Sequence, residues 1–385
     1  MLFFTFLLCG FASAVANRTL DPLTLAIAQD FNVTAATAAL LASASFLPYA
    51  LVQPVLGPIG DHFGKVRVIK LALACTVIAT FATALAPVFA ALILARVAAG
   101  AAAGGIIPVM QALIGDLVKP AERQLTIARF NMSMIIGQML GAAFAGMLEA
   151  WIGWRMVMAL CGCVTLAAVI MAFSFLPAPP PRRESRFSIL GAISNYRTIL
   201  RNPRSWACYI TTPVIGGLTF GLLPFIAPIL DAQKNGGTRE AGFIIAGLAG
   251  GSLIMPLVLP YMLRTLSRPI MMALGGLLTC ISLILFAQGW HWSVMIALFA
   301  VYGFGFFMVQ NCIQYEVSEL SQDFRGSAYS LHAFCFFMGQ FAGPLAYGKL
   351  IPALGAPGAM YIAAAMMAAA GSLVGLYFAR MGHKA

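Results

Sequence analysis

Charge is what this sequence has least of: 9% of its 385 residues are Asp, Glu, Lys or Arg and 61% are hydrophobic, where a soluble domain carries roughly 25% charged residues. That shortage excludes an ordinary water-soluble globular domain and leaves a chain that crosses a membrane many times. Acidic residues are the scarcer sign, 12 against 23 Lys and Arg, for a formal net charge of +11. Such an excess fits a nucleic-acid partner only where the basic residues form one soluble patch, and here they are dispersed between apolar runs. No Gly-rich loop ending in Gly-Lys-Ser or Gly-Lys-Thr is present, so nothing assigns ATP hydrolysis. The eight cysteines follow no zinc or redox spacing, and only Cys161 and Cys163 are close together; they read as small apolar packing residues. No hydrolytic or redox centre emerges. The chain reads as a non-enzyme without metal or cofactor, and any uphill work would draw on an ion or solute gradient.

What is present is apolar length. At about 20 residues per membrane-spanning helix, the runs lay out as twelve, near 2–26, 37–59, 68–88, 90–114, 125–149, 154–176, 206–230, 241–263, 269–289, 292–315, 326–349 and 358–379. With both termini in the cytoplasm, 17 of the 23 Lys and Arg fall in cytoplasmic loops or helix ends. Four (Arg155, Lys234, Arg239, Lys349) fall outside, and Arg18 and Arg96 lie inside helices. The positive-inside rule therefore favours cytoplasmic termini in a plasma-type inner membrane. The first run, Leu2 to Leu8 followed by Ala12-Ser13-Ala14, imitates a signal peptide. No Lys or Arg precedes it and cleavage would leave eleven helices, so it is expected to stay as the first helix.

After the sixth run the composition changes to Pro177, Pro179, Pro180 and Pro181, then Arg182, Arg183, Glu184 and Arg186. Proline removes donors and stiffens the chain, so 177–205 reads as a cytoplasmic linker between a first bundle, 1–176, and a second, 206–385. From Phe187 to Leu200 the linker turns amphipathic, with Ile189, Ile193, Tyr196 and Leu200 on one stripe and Arg197, Arg201 and Arg204 on a basic one, as for a helix lying at the inner leaflet. A repeat relates the halves at an offset of 202: Arg123, Gly137, Gln138, Gly141 and Gly146 recur as Arg325, Gly339, Gln340, Gly343 and Gly348. The expectation is an all-α membrane protein with twelve transmembrane helices in two pseudo-symmetric six-helix bundles. In transporters of that plan the substrate site lies between the halves at the midplane.

Residues 57–67 form a polar island whose charges must reach a membrane face and whose glycines suit a tight turn. Gly57, Ile59, Gly60, Asp61, His62, Gly64 and Lys65 resemble the Gly-x-Leu-Ala-Asp-Arg-x-Gly-Arg signature between helices 2 and 3 of the major facilitator superfamily, with Ile59 and His62 departing from it. The resemblance, with the helix count and the linker, implies a transporter on that fold. Around the island a gate is expected: Lys65 pairing with Asp116, and Asp61 against the N-terminus of helix 11 near Gly326, where the helix dipole favours an anion. Together they would latch the halves on the cytoplasmic side and favour the outward-open state.

Leu92 to Arg96 and Gly100 look like the Arg-containing motif of the proton-coupled branches, with Ala99 where glutamine is usual. Gly137, Gly141 and Gly146 resemble the glycine-rich motif of the antiporters, and Gly343-Pro344 and Gly348 carry its other elements in the second half. These small residues also permit plain close packing. Arg18 and Asp21, three apart and followed by Pro22, can pair on one face where proline loosens the helix. Asp21 could carry a proton if unpaired and cut off from water; otherwise the pair merely makes two charges tolerable. Arg96 is a pathway candidate or a structural tie. Asn131, Gln138, Gln310, Asn311, Gln314, His332 and Gln340 could face a central cavity or hydrogen-bond between helices, and phenylalanines at 304–307 and 334–337 could line it. The leading reading is proton-coupled efflux of a small hydrophobic or amphipathic molecule by a monomer whose partners are that substrate, the lipid bilayer and no nucleic acid. The runner-up is uptake of a metabolite such as an organic anion, and a non-transporting sensor or scaffold is third.

Overall fold

The computed structural model describes residues 1–177, 189–321 and 324–382; within its helices, the side chains at 56–58, 61–62, 120–121, 189–194 and 382 lie outside the description. The first half comprises α1 (Leu2–Arg18), α2 (Thr24–Asp30), α3 (Ala35–Phe63), α4 (Lys65–Leu85), α5 (Phe89–Ala103), α6 (Ile106–Leu117) and α7 (Pro120–Phe175). After α8 (Ile189–Leu200) come α9 (Pro203–Leu222), α10 (Ile226–Ala232), α11 (Thr238–Thr265), α12 (Arg268–Phe286), α13 (Trp292–Glu319) and α14 (Arg325–Gly382). Among the described residues, nine helical stretches are long and apolar enough to cross a bilayer. Two of them, of 54 and 57 residues, would each be about 80 Å long at the helical rise, far more than one crossing. Each breaks at a glycine in the left-handed region, Gly153 (φ 74°) and Gly355 (φ 73°), and so crosses twice. With α1 and α2 as one broken crossing, the count is twelve.

Side-chain contacts fix which ends share a face. The Arg129 guanidinium lies 5.6 Å from the Phe3 ring and Lys70 Nζ reaches Phe173 O at 3.4 Å, so both ends of α7 adjoin the face that holds Met1, here the terminal face. On the opposite face Arg155 and Trp154, just past the Gly153 break, hold the Asp30 carboxylate. Hydrocarbon contact is legible on α4, where Leu71, Ile78 and Leu85, one per two turns, are 67–79% exposed. An apolar stripe facing outward is sensible only against lipid.

The polar island is not a loop. Helix α3 runs through Gly57, Gly60 and Asp61 to Phe63, and the turn is the single residue Gly64 (φ 90°, ψ 122°), a conformation open to glycine, after which α4 starts at Lys65. Charged residues need only reach water at the helix end; they do not break the helix. Another difference lies in the fourth run, expected as one helix but divided at Gly104-Gly105 into α5 and α6. Pro108 has no N–H to give the carbonyl four residues back, and Gln53 Nε2 of α3 donates to that Gly104 O at 3.2 Å. The same chemistry ties down the linker. Pro58 leaves the Pro54 carbonyl without its helical donor, and the Tyr196 hydroxyl on α8 donates to it at 2.9 Å. Of the expected amphipathic stripe, Tyr196 and Leu200 pack against the second half's core; Ile189 and Ile193 fall among the side chains outside the description.

The repeated glycines pack in corresponding ways. A Cβ on Gly137 would stand 2.6 Å from Phe11 O of α1, and one on Gly339 or Gly343 would overlap the Pro213 or Gly217 carbonyl of α9. Within each half, then, the fifth crossing meets the first backbone to backbone. Farther along, Gly146 faces Thr238 O and Gly242 across the halves, and Gly348 faces Ala36. These last contacts close the two halves together near the opposite face.

Candidate functional site

Helix α1 stops at Arg18 because Pro22 cannot donate to the Arg18 carbonyl; the Asp21 N–H takes it instead, at 3.3 Å. The Thr24 hydroxyl then donates to Asp21 O at 2.9 Å, and α2 resumes the crossing. The break turns Arg18 and Asp21 inward. Arg18 is 6% and Asp21 2% exposed, with Nη1 and Oδ2 at 3.4 Å. The other guanidinium nitrogen crosses to the second half, donating to Gln340 Oε1 at 2.5 Å. The guanidinium carbon lies over the Phe46 ring of α3 at 4.9 Å and over the Phe220 ring of α9 at 4.1 Å. A buried cation held by a carboxylate, an amide and two rings is well compensated, and its partners are divided between the halves.

Arg96 lies nearby on α5, 2% exposed, its Nε–H donating to Ser45 Oγ at 2.8 Å, while Ser45 donates on to Leu41 O at 3.0 Å. Gly100, one turn along, lets α5 touch the α3 backbone at Ser45, where a Cβ would overlap the carbonyl. The Asp21 carboxylate also lies in the field of Arg96. Two buried guanidinium groups thus stand against one buried carboxylate in this region, a net positive charge inside the membrane, where isolated charge is costly.

A second polar cluster belongs to the second half alone. His332 Nδ1 meets Thr212 Oγ1 at 3.2 Å and His332 Nε2 meets Gln310 Nε2 at 3.0 Å, with all three residues buried. An amide donor on Nε2 leaves the proton on Nδ1, directed at Thr212, whose hydroxyl donates to Cys208 O at 2.7 Å. Gln310 Oε1 and Gln340 Nε2 are buried without a hydrogen-bond partner among the described residues. Between the clusters runs an aromatic band: Tyr49 to Phe337 at 4.1 Å, Phe337 to Phe336 at 5.4 Å, Phe336 to Phe220 at 5.7 Å and Phe220 to Phe306 at 5.5 Å. It joins α3 to α14, α9 and α13 across the halves.

The other expected residues are dispersed. Asn131 Oδ1 accepts from Gln111 at 3.0 Å at an exposed position, Asn311 Nδ2 donates to Phe307 O at 2.9 Å, and Gln138 is half-buried on α7. Pro344 is inside α14. Lys65 Nζ and Asp116 Oδ2 are 2.6 Å apart, a contact within the first half that by itself bridges nothing. The bridging part of the expected gate rests on Asp61, which with Gly57 lies outside the described side chains. Sequence reasoning passed over Ser45, Phe46, Tyr49, Gln53, Thr212 and Phe220. For Ser45 and Gln53 a signal existed: two polar residues eight apart in an apolar run, on one helical face. Phe220 stands 202 positions after Arg18, the offset that relates the halves, but an apolar side chain there marks only the loss of the charge and not a site. Among the described residues no group of three or more His, Cys, Asp or Glu is placed to hold a metal ion.

Comparison with known proteins gives a consistent result. The family model described as Major Facilitator Superfamily matches residues 6–344. The quinolone resistance protein NorA of Staphylococcus aureus is 27% identical over 330 residues, 84% of this chain and 82% of its own. YybF of Bacillus subtilis, described as an uncharacterized MFS-type transporter, is 23% identical over 343 residues, 87% of this chain and 83% of its own. In three dimensions, a bacterial homologue of the human lysosomal transporter Spinster, in an inward-facing and unoccupied conformation, superposes with a TM-score of 0.79 at 17% identity, covering 98% of this chain and 97% of that one. The nucleoside transporter NupG superposes with a TM-score of 0.78 at 14% identity, covering 99% and 100%.

Proposed function

The chain belongs to the major facilitator superfamily and is a multi-pass membrane transporter, not an enzyme; from that premise we propose that it exports a small hydrophobic or amphipathic molecule in exchange for protons. The observation that carries this reading is the Arg18–Asp21 pair, tied through Gln340 to the other half. Protonating Asp21 removes the charge that holds Arg18 on the first half's side. The guanidinium then turns to Gln340 and across the Phe46 and Phe220 faces that an apolar substrate would use, so a protonated Asp21 and a bound substrate exclude one another. The Phe46, Phe220 and Phe336 rings offer an apolar surface beside it. Likeness to NorA, a quinolone resistance protein, supports export and an aromatic or amphipathic cargo.

The proposed setting is the inner membrane of a bacterium, with the terminal face cytoplasmic, as the distribution of Lys and Arg favours. The close backbone contact of Gly146 with α11, the van der Waals contact of Gly348 with Ala36, and the exposed Asn131–Gln111 pair well inside the crossing from the terminal face, support a state open to the cytoplasm. The chain is proposed to act as a monomer driven by the proton gradient alone. Substrate-driven proton release from proteoliposomes tests the coupling; equal substrate flux with the pH gradient collapsed would refute it.

A second reading is favoured by the charge of the cluster, two arginines against one carboxylate. On it the cargo is an organic anion taken up beside Arg18 or Arg96. Loss of transport on Arg96→Ala with retention on Asp21→Asn, together with inward accumulation in cells, would select this reading.

A further inference from the structure

A cavity of about 400 Å³ is formed at the terminal face of the second half, far from the Arg18 cluster, where the ends of α9, α11, α12, α13 and α14 converge. Its polar lining is Arg204, Arg268, Ser267 and Glu316, and Leu263 and Phe378 contribute to its apolar wall. Among the described residues neither arginine is engaged in an ion pair. The neighbouring Glu319 is instead paired with Arg325 at 3.8 Å. Arg268 is held in place by the Tyr315 ring, 3.5 Å from its guanidinium carbon. Two guanidinium groups against Glu316 leave the cavity with a net positive charge.

The depth of the cavity is marked by aromatic side chains. Trp206, Tyr261 and Tyr315, each within two residues of a lining residue, are 56%, 68% and 41% exposed. Exposed Trp and Tyr at the ends of spanning helices mark the headgroup level of a bilayer. A basic hollow at that level, with one apolar side, fits a ligand that is phosphate at one end and hydrocarbon at the other. Guanidinium forks suit phosphate oxygens in a way a point-charge ammonium does not.

We propose that this cavity binds the phosphodiester headgroup of an anionic phospholipid, with Arg204 and Arg268 on the phosphate and the glycerol end against Leu263 and Phe378. Glu316 limits the positive charge, and so weakens the grip enough for lipid to exchange. This assignment needs only that the chain spans a membrane; it is independent of cargo and of proton coupling.

The test is native mass spectrometry of the full chain released from nanodiscs containing equal parts phosphatidylglycerol, phosphatidylethanolamine and phosphatidylcholine. The wild type should retain phosphatidylglycerol over phosphatidylcholine, and Arg204→Gln/Arg268→Gln should lower that retention about tenfold or more, as expected for losing charged hydrogen bonds. Glu316→Gln should raise it. A gel-filtration profile matching the wild type shows each variant folded, and Arg204→Gln alone, expected to lose part of the retention, serves if the double variant does not fold. Equal retention in wild type and folded arginine variants overturns the proposal. So does loss of lipid on Glu316→Gln, which would mean that a headgroup ammonium is held instead. Complete displacement by millimolar inorganic phosphate overturns the lipid as the natural source.

Discussion

Replacing Gly146 with alanine adds one methyl group to the seam between the halves. That Cβ would stand 2.6 Å from Thr238 O, 3.0 Å from Gly242 Cα and 3.1 Å from Arg239 O, all backbone atoms of α11, which cannot rotate away as a side chain can. Overpacking of this kind costs about 1–3 kcal/mol. Because the clash lies between halves, the cost falls on the state in which the opposite face is shut and leaves each bundle intact. An equilibrium shifted by that amount changes about 5- to 150-fold. The assay is labelling of Asn131→Cys, in a background free of other cysteines, by an impermeant thiol reagent added at the terminal face. Labelling should slow in Gly146→Ala while the thermal unfolding midpoint stays put. Gly339→Ala is the contrast: its Cβ would overlap the Pro213 carbonyl within the same half, so the midpoint should fall by several degrees, at about 2–4 °C per kcal/mol. Unchanged labelling in Gly146→Ala together with a lowered midpoint would refute the argument, because the contact would then be ordinary packing common to every state.

Other consequences are more briefly stated. Asp21→Asn, fixed in the neutral form, should bind substrate more weakly and lose the dependence of transport on the pH gradient, measured in proteoliposomes of fixed internal pH; a full gradient response would remove Asp21 from the coupling. Tyr196→Phe strips the donor from the Pro54 carbonyl and should cost about 1 kcal/mol, read as a lower unfolding midpoint with no change in substrate affinity. Asp116→Asn removes the ion pair to Lys65 at a position that is itself 56% exposed, so its effect on stability should stay below about 1 kcal/mol, measured by thermal unfolding in detergent.

The local part of the candidate site could be read from residue order, and the non-local part could not. Arg18 and Asp21 are three apart ahead of a proline, which already implies a broken helix and a pair on one face. Gln340 is 322 positions from Arg18, and no spacing argument reaches that far; only the packing of α1 near α14 makes them partners. The twelve crossings are visible because hydrocarbon demands about 20 apolar residues each time. The break at Gly104-Gly105 is hidden for the same reason: hydropathy stays high across it, and the signal is Pro108 together with a distant glutamine. Residues 57–63 misled in the opposite sense. Polarity there marks arrival at water, and the backbone remains helical until Gly64.

The prolines of these helices have a consequence for how the sequence can change. Pro58 and Pro108 each strand one carbonyl, and the stranded oxygen is taken by a side chain from elsewhere, Tyr196 in one case and Gln53 in the other. Each proline and its remote donor therefore behave as a single inherited unit of two residues. Restoring an N–H at position 58 would make the Tyr196 hydroxyl dispensable, whereas deleting that hydroxyl first leaves an unanswered acceptor. Substitutions at the two members should be order-dependent, with the proline the permissive first step, and in related chains the loss of one should accompany freedom at the other.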